Sequence, residues 1–99
     1  MNIKQWQEEL HENAVKHGWW EKQEADHIPE KLCLVHAEVS EALEAFRVNN
    51  WKLFKEELAD IMIRVMDLAE NFDINLETEI YIKHEYNKKR SYRHGNKRC

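Results

Sequence analysis

Residues that break helices are almost missing from this chain. Its 99 residues include two glycines, Gly18 and Gly95, and one proline, Pro29, while the stretches between are rich in Ala, Glu, Leu and Lys, all strong helix formers. A β-rich chain of this length would need turn residues every few positions, so the composition predicts an all-α fold. The apolar spacing agrees. Ile3, Trp6, Leu10 and the Ala14/Val15 pair predict a helix over 2–16, ended by Gly18. A polar loop is expected from Glu21 to His27, and Pro29 suits the first turn of a second helix running to about Arg47. Asn50 caps a third helix from Trp51 to about Phe72, carried by Phe54, Leu58, Ile61, Val65, Leu68 and Phe72. Asn75 caps a fourth through Leu76 and Ile80 toward Lys83–Asn87, with an irregular tail beyond Arg90.

No internal repeat or linker divides the chain, so one domain over 1–99 is expected, with a basic tail at about 90–99. A chain this short has little core, and its apolar stripes call for association into a homodimer, or a homotetramer of two dimers. No apolar run approaches the roughly 20 residues that span a bilayer, and the start MNIKQWQEEL is charged where a signal peptide is apolar. A cytoplasmic protein without membrane partners is expected. Cys33 and Cys99 form neither a disulfide framework nor a zinc-ligand spacing, which suits a reducing compartment and places Cys33 in the core.

The net charge of −4 hides an asymmetry, since residues 1–82 carry 18 acids against 8 basic side chains and residues 83–99 carry 7 basic side chains against Glu85 alone. A basic tail alone suggests nucleic acid. Beside so acidic a body, it also suits a compact polyanion such as a triphosphate.

The acids are not evenly spread. The second helix contains Glu38-Val-Ser-Glu41 and the third Glu57-Leu-Ala-Asp60, each pair at i and i+3 and so on one helix face. Glu38 lies in line with Leu34 and Ala42, Glu41 with Ala45, and Glu57 with Phe54 and Ile61, so three of the acids border apolar stripes, unlike a solvated charged face. Antiparallel packing through the short Val48–Asn50 connection brings the two pairs together. Converging carboxylates need a hard divalent cation, magnesium or manganese. Zinc is disfavoured because no His or Cys stands at ligand spacing, and His36 reads as a surface or interface residue. The competing reading is ordinary surface charge, since Glu41/Glu44 and Glu9/Glu12 show the same spacing.

Glu38-x-x-Glu41 followed across a short connection by Glu57-x-x-Asp60 resembles the signature of MazG-like nucleoside triphosphate pyrophosphohydrolases. The resemblance includes LCLVHAEVSEALEAFR, EELADIMIRVMDLAENFDINLE and a C-terminal pattern of Lys83, Asn87, Lys88, Arg90, Tyr92, Arg93, His94, Gly95 and Lys97, similar to the small single-domain members found in phages and mobile elements. It implies helices of two subunits forming four-helix bundles, active sites near the subunit interface, and magnesium-dependent cleavage between the α and β phosphates, probing the nucleotide pool for unwanted members. Carried over by position, Glu38, Glu41, Glu57 and Asp60 are the metal ligands. The chain has one such domain, so the duplicated architecture of larger members does not apply.

On this reading a water attacks the α-phosphorus with Glu41 as the proton acceptor, Glu38 beside it, and pyrophosphate leaving. Lys83, Asn87 and Arg90 serve the phosphates, Arg90 by bidentate contacts; their alternative is a solvated helix end. Trp19 and Trp20 follow the first helix, and Trp20 is the candidate to stack on the base. Tyr92 is expected to close over the nucleotide, and Trp6 and Trp51 to pack. Two other classes stay open. A nucleic-acid module would act through the basic tail, with the acidic body against it, and a non-catalytic helical adaptor would use the apolar stripes as dimer surfaces.

Overall fold

The computed structural model describes residues 1–21 and 27–90. Four helices follow in order: α1 (Ile3–Lys16), α2 (His27–Arg47), α3 (Trp51–Asn71) and α4 (Leu76–Lys88). No strand occurs among the described residues, and the fold is all-α. The expected loop over Glu21–His27 and the tail beyond Arg90 fall mostly outside the described residues. Helix α2 begins at His27, two residues before the proline that the sequence suggested as its start. Pro29 therefore stands within the first turn, where its missing N–H still costs nothing.

Local chemistry sets the helix ends. Asn2 and Gln5 form a capping box at α1, which the sequence reading missed. The side chains of Asn50 and Asn75 accept from the N–H groups of Leu53 (3.0 Å) and Thr78 (3.2 Å), capping α3 and α4. Gly18 turns the chain off α1 at φ 80°, and Asn49 and Asp73 take the left-handed conformation at φ 58° and 55° in the two later turns, as short polar side chains allow.

Helix α3 is the spine. Helix α2 lies along one side of it and α1 along another, while α4 leans chiefly on α1. The buried apolar residues are small except for one: Ala14, Ala42, Ala45, Ala69 and Trp20. Alanines let the helix backbones approach closely, but they bury little area. Polar side chains supply part of the join. Gln7 is fully buried, donating to the Ile74 carbonyl (2.8 Å) and Glu70 (3.2 Å) and accepting from the Leu76 N–H (2.9 Å). It ties α1 to the α3–α4 junction, and Lys4 adds an ion pair to Glu70 at 2.7 Å.

Much apolar surface stays uncovered in one chain, including Val39, Leu43, Phe46, Leu58, Met62 and Tyr81. Cys33 is exposed on α2 rather than in the core, because the stripe on which it sits faces away from α3. Trp6 and Trp51, expected to pack, are about half-exposed; Trp51 meets Phe46 and Phe54 edge-on. No described helix is long and apolar enough to cross a membrane.

Candidate metal centre

Packing α2 against α3 brings Glu38, Glu41 and Glu57 together. One carboxylate oxygen from each lies within 4.8 Å of the others. Glu38 and Glu57 are buried, at 8% and 7% exposure, and Glu41 is exposed at the mouth. The second oxygens of Glu38 and Glu57 are buried and meet no hydrogen-bond donor among the described residues. A buried polar atom without a partner is costly, at about 1–3 kcal/mol and more when charged, so the cluster has unmet demand for positive charge.

Protonation meets part of it. A hydrogen bond with Glu38, burial and the nearby Glu41 push the Glu57 carboxyl up to about 7. The same hydrogen bond holds Glu38 below the usual carboxylate value, against its burial and with help from Arg64. The two acids thus share one proton, held on Glu57.

Arg64, one turn beyond Asp60 on α3, supplies the nearest positive charge. Its Nε donates to Glu38 Oε1 at 2.9 Å, and its guanidinium lies 4.9 Å from the centre of the Trp19 ring. Lys31 fixes that tryptophan from the other side by donating to the Trp19 carbonyl at 2.9 Å, with its ammonium 4.5 Å from the Trp20 ring. Arg64 and Trp19 also line a cavity of about 250 Å³ between α1 and α3, shared with Asn13, Ile63 and Asp67.

Asp67 organises the α1–α3 seam. It accepts from the Trp20 indole N–H (2.9 and 3.1 Å) and pairs with His11 Nδ1 at 2.7 Å. Trp20, the candidate stacking platform, is 3% exposed, edge-on to His11 and Phe72. Its faces are taken by the core, and the half-exposed aromatic beside the acids is Trp19.

The other expected site residues are more scattered. Asp60 is half-buried on α3 and falls outside the group of mutually close carboxylates. Lys83 and Arg90 flank the Tyr86 ring at 4.9 and 5.5 Å on the outer side of α4, and Asn87 is exposed there. None of the three is brought to the acids within one chain, because α4 leans on α1. Tyr92 lies outside the described residues. The sequence reading overlooked Arg64, Asp67 and His11. A usable signal was present, since Asp60, Arg64 and Asp67 place three charged side chains at i, i+4 and i+7 beside the apolar repeat of α3, where solvated residues are not expected.

The donor set fits a hard divalent cation. All three groups offer carboxylate oxygen, with no sulfur or imidazole among them, as magnesium and manganese prefer. Opposed oxygens around magnesium stand roughly 4.2 Å apart, twice its usual bond length, so a cluster already within 4.8 Å needs only slight closure. Comparison with family models, curated proteins and solved structures gave no match.

Proposed function

We propose that the chain is a magnesium-dependent hydrolase of nucleoside triphosphates, releasing monophosphate and pyrophosphate, with manganese as a substitute metal. The observation that carries the metal half is the pair of buried oxygens on Glu38 and Glu57, unpartnered beside exposed Glu41. The nucleotide half rests on the resemblance of Glu38-x-x-Glu41 and Glu57-x-x-Asp60 to the MazG-like signature.

Glu38, Glu41 and Glu57 would hold the ion, and Asp60 would join them by a change of rotamer. Once bound, the cation neutralises the triphosphate's charge and polarises the phosphorus under attack. The chain's own residues do the rest. Glu41 is the exposed acid of the three, reachable by solvent, and accepts the proton of the attacking water. Glu38 and Glu57 stay fixed in the α2–α3 seam, so the acids are positioned before substrate arrives. The α1–α3 cavity takes the nucleoside against the half-exposed Trp19 ring, with Asn13 on its wall for polar contacts.

The working unit is an oligomer, a homodimer or a homotetramer built from two. The exposed apolar faces of α2 and α3 support this, since they are the stripes a four-helix bundle would cover. Assembly also gives Lys83, Asn87 and Arg90 a route to phosphates held by a second copy, and removal of surplus or noncanonical nucleotides in the cytoplasm is the role in view. An adaptor without chemistry accounts for the apolar faces equally well, but gives no reason to bury two carboxylates together.

The test is to incubate the protein with a panel of ribo- and deoxyribonucleoside triphosphates, with magnesium or with EDTA, and to separate the products by ion exchange. Monophosphate and pyrophosphate, lost in EDTA and in Glu38→Gln, are expected. Diphosphate with phosphate, or no turnover of any nucleotide, would overturn the proposal.

A further inference from the structure

Arg64 has two seats, and only one can be kept once a metal binds. In the described structure its Nε holds Glu38 Oε1, the oxygen next to the bare Oε2, while its flat face rests on Trp19. Both partners of the ion pair are largely shielded, at 20% and 11% side-chain exposure, so water screens the pair weakly. The grip is nevertheless single. An arginine fully committed to a carboxylate uses two parallel N–H groups, whereas here the terminal Nη nitrogens form no hydrogen bond among the described residues. They border the α1–α3 cavity instead.

We infer that Arg64 is the resident counter-cation of the acid cluster, that a divalent cation displaces it from Glu38, and that the freed guanidinium pivots on Trp19 into the α1–α3 cavity to bind a phosphate-bearing ligand. The inference rests on the proposed metal site. Two cations cannot both take full benefit from the same carboxylate: the metal needs Glu38 oxygens, and a neighbouring guanidinium repels it. Arg64 keeps two shielded acids tolerable before metal arrives. Its release makes ligand binding follow metal binding, because the donors that meet the phosphate are freed only by the cation. Trp19 serves as the hinge, its carbonyl anchored by Lys31 and its ring about half-exposed to the cavity side.

The probe is manganese alone, followed by the electron paramagnetic resonance signal of the free ion, in wild type, Arg64→Gln and Arg64→Lys. Loss of the competing charge is expected to tighten Arg64→Gln for manganese about fivefold or more, while Arg64→Lys, which keeps the charge, stays near wild type. In the presence of manganese a non-hydrolysable triphosphate analogue is expected to bind both variants more weakly than wild type, because neither has the guanidinium fork. Weaker or unchanged manganese binding in Arg64→Gln would make Arg64 a positioning partner of Glu38 and overturn the inference. Should Arg64→Gln fail to fold, Arg64→Lys decides: manganese affinity near wild type with weakened analogue binding upholds the exchange, and any other pair of results overturns it. Absence of manganese binding to wild type would instead defeat the metal site itself, so the two failures are told apart.

Discussion

Helix α3 buries carboxylates in two places, and they are treated in opposite ways. Asp67 faces α1 and is fully partnered, with both oxygens on the Trp20 indole and one on His11. Glu57 faces α2 ten residues earlier and meets another carboxylate, with an oxygen that no donor reaches. Both are below a tenth exposed, so burial does not distinguish them. Partnership does. A buried acid whose lone pairs are filled by the protein is a structural joint; one whose lone pairs are left open within 4.8 Å of two more acids is arranged for something the chain does not itself supply.

The contrast is broken most severely at the joint. Trp20→Ala removes the one large apolar side chain among the buried residues and strips Asp67 of its indole donor, and it is expected to cost about 3–5 kcal/mol, read by urea denaturation. A loss below about 1 kcal/mol would mean that the α1–α3 seam is not the joint described.

A smaller effect of opposite sign is expected at the open site. Glu57 has its carboxyl raised to about 7 in the folded chain from an ordinary value of 4.5. The folded state therefore binds more protons than the unfolded state between those values, and stability falls as pH rises through that window. Without metal, the melting temperature should decline from about pH 5 to about pH 8. Glu57→Gln removes the titrating group while keeping its shape, so the decline should flatten and the variant should melt a few degrees above wild type at pH 8. A steeper decline in the variant would contradict the shared proton.

The helices were legible because their signals are local. Asn50 and Asn75 cap where capping residues were expected, and Gly18 ends α1. The capping box of Asn2 and Gln5 uses the less common Asn/Gln pair and was overlooked. The acid cluster was three-quarters legible, because i, i+3 spacing and an antiparallel hairpin fix where Glu38, Glu41 and Glu57 meet. Asp60 shares a helix face with Glu57, but one turn of α3 carries it about 4.5 Å along the axis, and the meeting with α2 is centred on Glu57. Trp20 and Arg64 were not legible. Their surroundings come from α1 and from the turn at residues 17–20, which only tertiary packing brings to α3. The basic residues of α4 show the same limit: charge composition suggested their task, while the docking of α4 on α1 keeps them away from the acids within one chain.

The central claim is that the Glu38–Glu41–Glu57 cluster is a divalent-cation site, and a thermal melt in EDTA against a magnesium titration tests it most directly. A cation that binds only the folded chain raises the melting temperature with its concentration. The account predicts a saturable rise in wild type, absent in Glu38→Gln and Glu57→Gln and retained in Asp67→Asn, whose acid already has its partners. A melting temperature indifferent to magnesium and manganese, or a rise that survives both glutamine substitutions, would contradict it.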